Sequence, residues 1–354
     1  MGNDAILVRA PIAALPRLHQ IVLPTPWEIG PVQIYVVEGD PLTLIDTGVR
    51  RENARAALES AFESLSLELG DVQRVILTHY HTDHMGQAET LREAGADLEL
   101  WVHEDDADDV AHFSVEREER IDESNALFLE HGAPAPLLAR QAERIRREVG
   151  AEPPLAKATR VDRRLRDAER IPFKDFELEV LHAPGHTAGH VVLAEAETGT
   201  LLTGDHLMGN AVPFTESFHL AGVPDPHDRL GRRPRFRGLP GYLASLRRLR
   251  GRPWRTILPA HGGILDRPAR VIDEALLFYE VRVQRVERIV GAIAAERGDA
   301  NAWEIWQRLF PKLDPDTQMR TRMVMVIGAL DVLEDAGRVR AVRRAHDTIA
   351  FQPA

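Results

Sequence analysis

The sequence predicts an α/β protein with a small helical domain after it. Short apolar runs typical of strands alternate with helical periodicity from residue 32 to about residue 260. A charge-rich helical stretch interrupts this alternation, and three helical runs follow Pro268. These observations predict a first domain over residues 1–266 and a second over residues 267–354.

The first predicted element is a β-hairpin, because Gly39-Asp40-Pro41 separates two apolar runs and supplies turn residues. From Glu52 to Leu65, apolar residues recur at the spacing of one helical face. The predicted strands of this domain cover residues 32–38, 42–45, 74–78, 98–102, 176–181, 190–194, 200–203 and 256–258. The predicted helices cover residues 52–65, 85–94 and 242–250.

The charge-rich stretch, residues 104–166, is predicted to be a helical insertion. Its helical runs cover residues 117–131 and 136–149. We expect such an insertion to form a wall of a pocket.

The C-terminal stretch predicts a winged-helix-like domain. Helices are predicted at 268–295, 303–310 and 315–336, followed by a hairpin of residues 338–340 and 348–351. Asp314 is the expected N-cap of the third helix, and Gly337 is expected at its C-terminal end. From Arg267 to Ala354 there are fourteen Arg and Lys against thirteen Asp and Glu. This near-neutral balance disfavours DNA recognition and favours packing beside the active-site mouth, or a homodimer.

The composition narrows the function classes. With no cysteine, the chain cannot form disulfides or use thiolates, so any metal must be held by His and carboxylate. A net charge of -11 disfavours a chain that coats nucleic acid. The sequence has neither a membrane-length apolar run nor a basic-then-apolar leader, so we expect a cytoplasmic protein without membrane association.

The strongest chemical signal is the segment THYHTDHMG, residues 78–86. With 15 His in 354 residues, such a pattern arises by chance on the order of once in several hundred chains, so chance explains it poorly. His79 and His81 alternate off the end of a predicted strand and therefore point the same way. Asp83 and His84 lie at the start of a helix and turn towards a neighbouring point. One short loop can therefore serve two metal positions.

Three further segments share this character: APGHTAGH at 183–190, TGDH at 203–206 and PAHG at 259–262. In each, a predicted strand ends and a His or Asp follows within a few residues, next to Gly or Pro. Loops at one edge of a sheet are where a rigid scaffold presents functional groups. The four strand ends are therefore expected to converge on one site.

These segments resemble, in order and context, the HxHxDH loop, later His, bridging Asp and final His of metallo-β-lactamase-fold hydrolases, over about residues 30–265. The resemblance implies a four-layer αββα sandwich. It also implies that Asp46, in the segment LIDTG, orients a ligand histidine. It implies His79, His81 and His186 as ligands of the first metal, and Asp83, His84 and His261 as ligands of the second. Asp205 would bridge the two metals.

The resemblance also implies an activity. Because no Cys ligand exists, it points away from the β-lactamase branch with a Cys-containing second site and towards glyoxalase II-like hydrolases. The C-terminal domain resembles a branch that includes a mitochondrial lactamase-like endoribonuclease and thioesterases of polyketide pathways. The implied enzyme uses a hydroxide bridging two divalent ions to cleave a thioester, ester or lactone of a small molecule. Asp83 would orient that nucleophile and relay its proton. Zinc is the favoured metal, and iron or manganese also suits such ligands.

Other functions stay open at this stage. An arginine run, residues 229–237, could hold phosphate, a coenzyme A tail or single-stranded RNA, or it could be a solvated face paired with the acidic insertion. The first interpretation makes a single-strand-specific ribonuclease the main alternative. A winged-helix regulator that senses a ligand through its metal centre is another, and a mononuclear iron oxygenase is a third. The candidate substrate-binding residues are His206, Arg232 and Arg235.

Overall fold

The computed structural model describes residues 6–8, 10–95, 97–150, 153–344 and 347–354. The chain divides into two compact units, each assembled from separate segments. The first unit consists of Met1–Glu116, Ala151–Pro213 and Arg248–Ile272, and the second consists of Arg117–Gly150, Phe214–Arg247 and Asp273–Ala354. Both units are discontinuous in sequence, whereas the sequence predicted one boundary after residue 266. The predicted division into two domains stays a prediction.

The elements are numbered in chain order. The strands are β1 Ile6–Val8, β2 Leu18–Leu23, β3 Val32–Val37, β4 Thr43–Ile45, β5 Arg74–Ile76, β6 Glu99–His103, β7 Arg163–Leu165, β8 Arg170–Pro172, β9 Glu177–His182, β10 Val191–Glu195, β11 Thr200–Gly204, β12 Ser217–His219, β13 Arg235–Arg237, β14 Thr256–Pro259, β15 Ala300–Asn301, β16 Val339–Arg343 and β17 Ile349–Pro353. The helices are α1 Glu52–Ser64, α2 Thr82–Met85, α3 Ala88–Glu93, α4 Ala107–Ala111, α5 Phe113–Glu130, α6 Ala135–Val149, α7 Gly238–Arg250, α8 Pro268–Arg297, α9 Ala302–Leu309 and α10 Pro315–Asp335.

Two sheets form the first unit. The larger has seven strands in the order β1 to β7, and the smaller has the order β14-β11-β10-β9-β8. Strands β4, β5, β6 and β7 are parallel, as are β11 and β14. Strands β9, β10 and β11 are antiparallel in succession, so β9 runs in the same direction as β11 and β14. The carboxyl ends of the strands that precede the predicted ligands therefore meet at shared sheet edges.

Apolar side chains fill the space between the two sheets. Tyr35, Ile45 and Ile76 of the larger sheet pack in one cluster with side chains such as Val191 and Leu202 of the smaller. On the other face of the larger sheet, helices α1, α3 and α4 supply a second cluster. Each fully buried Leu or Phe in these layers contributes about 1.5–3 kcal/mol. This packing confirms the predicted α/β class and makes the strand ends a rigid platform.

The second unit has its own core, to which α5, α6, α8, α9 and α10 contribute. Its C-terminal strands form a sheet in the order β15-β17-β16. The predicted caps of α10 are confirmed: the Asp314 carboxylate accepts a hydrogen bond from the Asp316 amide at 3.1 Å, and Gly337 has a φ of +64°. A second, two-stranded sheet pairs β12 with β13. The winged-helix-like description of the C-terminal part stays a prediction.

Most predicted elements are confirmed, with one instructive difference. The predicted helix at 85–94 is two helices, α2 and α3, separated at Gly86 and Gln87. A Cβ at Gly86 would lie 2.3 Å from the Thr82 carbonyl oxygen and 2.7 Å from that of Gly48, so the backbone here packs too closely for any side chain. Within the described ranges, none of the helices combines the length and apolar character needed to span a bilayer.

Candidate metal centre

The predicted ligands gather in the first unit from four strand ends. One loop follows β5 and leads into α2, and the other loops follow β9, β11 and β14. Seven side chains form overlapping groups whose ligand atoms lie within 4.8 Å of one another, namely His79, His81, Asp83, His84, His186, Asp205 and His261. All seven are buried except His81 and Asp83, which are partly exposed.

Three histidines form the first group. His79 Nε2 lies 3.1 Å from His81 Nδ1, which lies 3.0 Å from His186 Nε2. The Asp205 carboxylate adjoins them, with Oδ2 at 3.3 Å from His186 Nε2. The ring nitrogens therefore face one another across a common point instead of pointing towards separate partners.

The second group contains two histidines and a carboxylate. His261 Nε2 lies 3.2 Å from Asp83 Oδ2, and His84 Nε2 lies 3.8 Å from Asp83 Oδ1. Asp205 Oδ1 lies 3.5 Å from both His84 Nε2 and His261 Nε2. The two oxygens of Asp205 thus face different groups, which is the placement that a bridging ligand needs.

These residues fit divalent metal ions. Two nitrogens bound to zinc at 2.0–2.1 Å in tetrahedral geometry lie about 3.4 Å apart, close to the spacings seen in both groups. His84 Nε2 and Asp205 Oδ1 are also fully buried without a hydrogen-bond partner. Buried polar atoms are rarely left unpaired, and a cation between them would satisfy both.

Hydrogen bonds behind the ligands fix the orientation of two rings. The Asp46 carboxylate accepts bonds from the Thr78 amide, the Thr78 hydroxyl and His84 Nδ1, each at 2.8 Å. His261 Nδ1 donates to the Pro31 carbonyl oxygen at 3.0 Å. In its neutral form with Nδ1 protonated, each ring presents its Nε2 lone pair to the centre. These are the contacts that the predicted orienting role of Asp46 requires.

Burial and neighbouring charges set the protonation of the centre. Burial, followed by the charges of the surrounding histidines, holds the pKa of His79 well below its usual value, so its ring is neutral. Burial raises the pKa of the Asp83 and Asp205 carboxyls, but the charge of protonated His84, with hydrogen bonds from His261 to Asp83 and from His186 to Asp205, outweighs it and lowers both. Against the effect of burial, the carboxylates of Asp46, Asp83 and Asp205 raise the pKa of His84 well above its usual value, so a bound cation would replace a proton of its ring. Neutral imidazole and ionised carboxylate are the forms that bind metal.

A buried carboxylate that the sequence analysis missed supports the loop carrying His186. Asp106 accepts a hydrogen bond from the Thr187 hydroxyl at 2.7 Å and from the Gly189 amide at 2.5 Å. A Cβ at Gly189 would lie 2.5 Å from the Asp106 amide nitrogen. Gly189 alone could have suggested that another part of the backbone approaches here. Its partner Asp106 lies 83 residues earlier, and no sequence pattern connects the two.

The other predicted site residues are not members of these two ligand groups. His206 is fully buried, and burial together with the charges of His186 and Arg248 lowers its pKa to about 3. In the second unit, Arg232 Nη1 is 2.8 Å from Glu334, and Arg235 Nη1 is 2.8 Å from the buried Asp331. These arginines have carboxylate partners within the protein. Contact of any of the three with substrate stays a prediction.

A fourth cluster of ligand types, His103, Asp105 and His182, has a different geometry. The two rings stack at 3.9 Å between centroids and 14° between planes. Their in-plane lone pairs therefore run side by side instead of converging on one point. His182 Nε2 also hydrogen bonds to the Ala188 carbonyl oxygen at 2.8 Å. We interpret this cluster as part of the scaffold.

Comparison with known proteins identifies the family. The sequence profile of the "Metallo-beta-lactamase superfamily" matches residues 27–261, two thirds of the chain. The chain belongs to this superfamily. A relative from Bacillus subtilis named "Probable metallo-hydrolase YqjP" is 28% identical over 315 residues, which cover 89% of this chain and 91% of the relative. The metallo-beta-lactamase assignment confirms the predicted sandwich fold and the predicted class of enzyme, a metal-dependent hydrolase.

Two further similarities are informative. A crystal structure of a metallo-beta-lactamase family protein from Thermus thermophilus matches with a TM-score of 0.72 and 26% identity, over 96% of this chain and 99% of that chain. A hydroxyacylglutathione hydrolase, GloC of Haemophilus influenzae, is 29% identical over 174 residues, which cover 49% of this chain and 64% of that relative. The first similarity extends over nearly the whole chain, whereas the second covers about half of it.

Proposed function

We propose that the protein is a dinuclear metal-dependent hydrolase that cleaves a thioester, ester or lactone of a small molecule. The observation that carries this proposal is the position of Asp205, whose two carboxylate oxygens face two separate groups of His and Asp ligands. A single-metal site would need only one of these groups. Two divalent cations, with zinc favoured, would supply Lewis acidity and lower the pKa of a water molecule to about 7.

The protein's own residues would hold and orient the reacting groups. His79, His81 and His186 form one binding group, and Asp83, His84 and His261 form the other. Among the carboxylates of the centre, Asp83 is more exposed than Asp205, with side-chain exposures of 14% and 9%. Asp83 is therefore the better placed to hydrogen bond the attacking water, accept its proton at a carboxylate oxygen and pass it on.

The substrate class rests on similarity and on ligand chemistry. The relative from Haemophilus influenzae is named for an acylglutathione, which is a thioester. The chain has no cysteine, so its second ligand group consists of Asp and His. Both features favour a glyoxalase II-like hydrolase acting on a carbonyl carbon, as the resemblance in sequence implies.

The remaining expectations are consistent with this proposal. Helices α8, α9 and α10 with the sheet β15-β17-β16 support a winged-helix-like C-terminal part. We propose a cytoplasmic enzyme with a small-molecule substrate. The ribonuclease alternative gains no support, because Arg232, Arg233 and Arg235 form ion pairs with acidic residues, and phosphate binding needs cations that are free to pair with it.

The test combines metal analysis with activity. Purified protein is expected to contain two metal ions per chain and to hydrolyse members of a thioester and lactone panel. His81→Ala is expected to lose roughly a thousandfold or more in kcat/KM, because the first group loses one of its three nitrogens. His227→Ala is the matched control, since this exposed histidine lies in the second unit. Activity that survives removal of all metal, or one ion per fully active chain, would contradict the proposal.

A further inference from the structure

A cavity in the second unit lies between α5, the segment leading into β12, and α10. Its volume is about 140 Å³. Phe128 and Phe218 are buried in its wall, and Phe214 is 42% exposed at its surface. A dry cavity of about 150 Å³ in another protein holds benzene, so this space suits a group of that size.

An arginine on α10, Arg320, lines the cavity, and within the described part of the chain no carboxylate pairs with it. Among the described residues, the one hydrogen bond of Arg320 joins its Nη1 to the neutral Asn125 Oδ1 at 2.7 Å. Its guanidinium carbon lies 5.1 Å from the centre of the Phe128 ring. A guanidinium has five N–H donors, so most of its hydrogen-bonding capacity is unused. Burial, with a smaller effect from the charge of Arg144, lowers the pKa of Arg320 to about 10.

A second arginine lies in the wall of the cavity, packed on an aromatic ring. Arg120 also lines it and lies over the Phe218 ring, 3.4 Å from the ring centre. Among the described residues that line the cavity, the acidic one is Glu216. Partly buried charges are usually paired, and an arginine pairs best with a carboxylate that accepts two parallel hydrogen bonds.

We propose that this cavity binds a small carboxylate with an apolar body about the size of a benzene ring, with Arg320 holding the carboxylate and the phenylalanine side chains enclosing the body. The site is formed within the second unit. It therefore does not depend on the proposed hydrolase activity, and its test needs no catalytic readout.

The experiment is calorimetric titration of the full-length protein with benzoate, and with benzyl alcohol as a neutral ligand of similar size. Benzoate is expected to bind, and benzyl alcohol is expected to bind at least roughly tenfold more weakly. Arg320→Met keeps most of the side-chain volume and is expected to weaken benzoate binding by about tenfold or more, the effect of losing a charged hydrogen bond. Arg322→Met is the matched control, because Arg322 lies on the same helix and does not line the cavity.

Two further measurements separate the outcomes. Benzoate binding is expected to survive removal of the metal ions with a chelator, which excludes binding of benzoate at the metal centre as the source of the signal. Without ligand, Arg320→Met is expected to be at least as stable as the wild type, because it removes an uncompensated charge. The proposal is overturned if benzoate does not bind, if Arg320→Met binds it as tightly as the wild type, or if Arg320→Met unfolds.

Discussion

The contact between Asp46 and His84 yields a sharp prediction. In Asp46→Asn, an amide nitrogen replaces one of two carboxylate oxygens that accept hydrogen bonds from Thr78 and His84. If the nitrogen takes the Oδ1 position, two donors oppose each other at the Thr78 amide. If it takes the Oδ2 position, His84 Nδ1 must become an acceptor, and the proton moves to the Nε2 atom that faces the centre. Either placement removes a bond to a charged group, worth about 1.5–3 kcal/mol.

We therefore expect Asp46→Asn to weaken binding of one metal ion by about 10- to 100-fold, or about 1.4–2.7 kcal/mol. The measurement is competition for zinc with a chromophoric chelator, followed for each of the two ions. Glu195→Gln is the matched control, because the buried Glu195 carboxylate also accepts three hydrogen bonds, from the backbone amides of residues 197 and 198 and from the Thr198 hydroxyl. Unchanged zinc affinity in Asp46→Asn, or an equal loss in Glu195→Gln, would refute this reasoning.

Two more changes test the supports of the centre. Asp106→Asn is expected to lower kcat/KM and affinity for one metal by about tenfold, because the loop carrying His186 loses a charged acceptor. Asp108→Asn is the control, because Asp108 is exposed on the next helix. Normal metal affinity in Asp106→Asn would argue against a supporting role of Asp106. Gly86→Ala is expected to lower the free energy of unfolding by about 1–3 kcal/mol or more in urea denaturation, because its Cβ would overlap backbone oxygen. An unchanged denaturation midpoint in Gly86→Ala would show that the backbone at residue 86 can move away from Thr82 and Gly48 without loss of stability.

Much of the centre could be predicted from the sequence because its information is local. His79, His81, Asp83 and His84 lie within six residues, and their strand-loop-helix context follows from alternation and periodicity. The other proposed ligands each follow a strand that apolar residues specify. The predicted hairpin of β3 and β4 is confirmed for the same reason, since its turn residues are adjacent in the chain.

The rest depends on contacts between distant residues. Asp106 approaches Gly189 across 83 positions, and no periodicity encodes that meeting. The strands β7 and β8 have three residues each, too few to show an alternating pattern. The charge pattern of the arginine run left two interpretations open, a phosphate-binding surface and a face paired with acidic residues, because only tertiary packing places acidic residues beside several of its members.

The discontinuous second unit has a practical consequence for anyone who shortens this protein. A fragment ending after residue 266 would keep α5 and α6 but lose the helices that cover their apolar side chains, including Leu127, Phe128, Leu137 and Leu138. Such a fragment would expose this apolar surface to solvent and is expected to precipitate, even though it would still contain every proposed metal ligand.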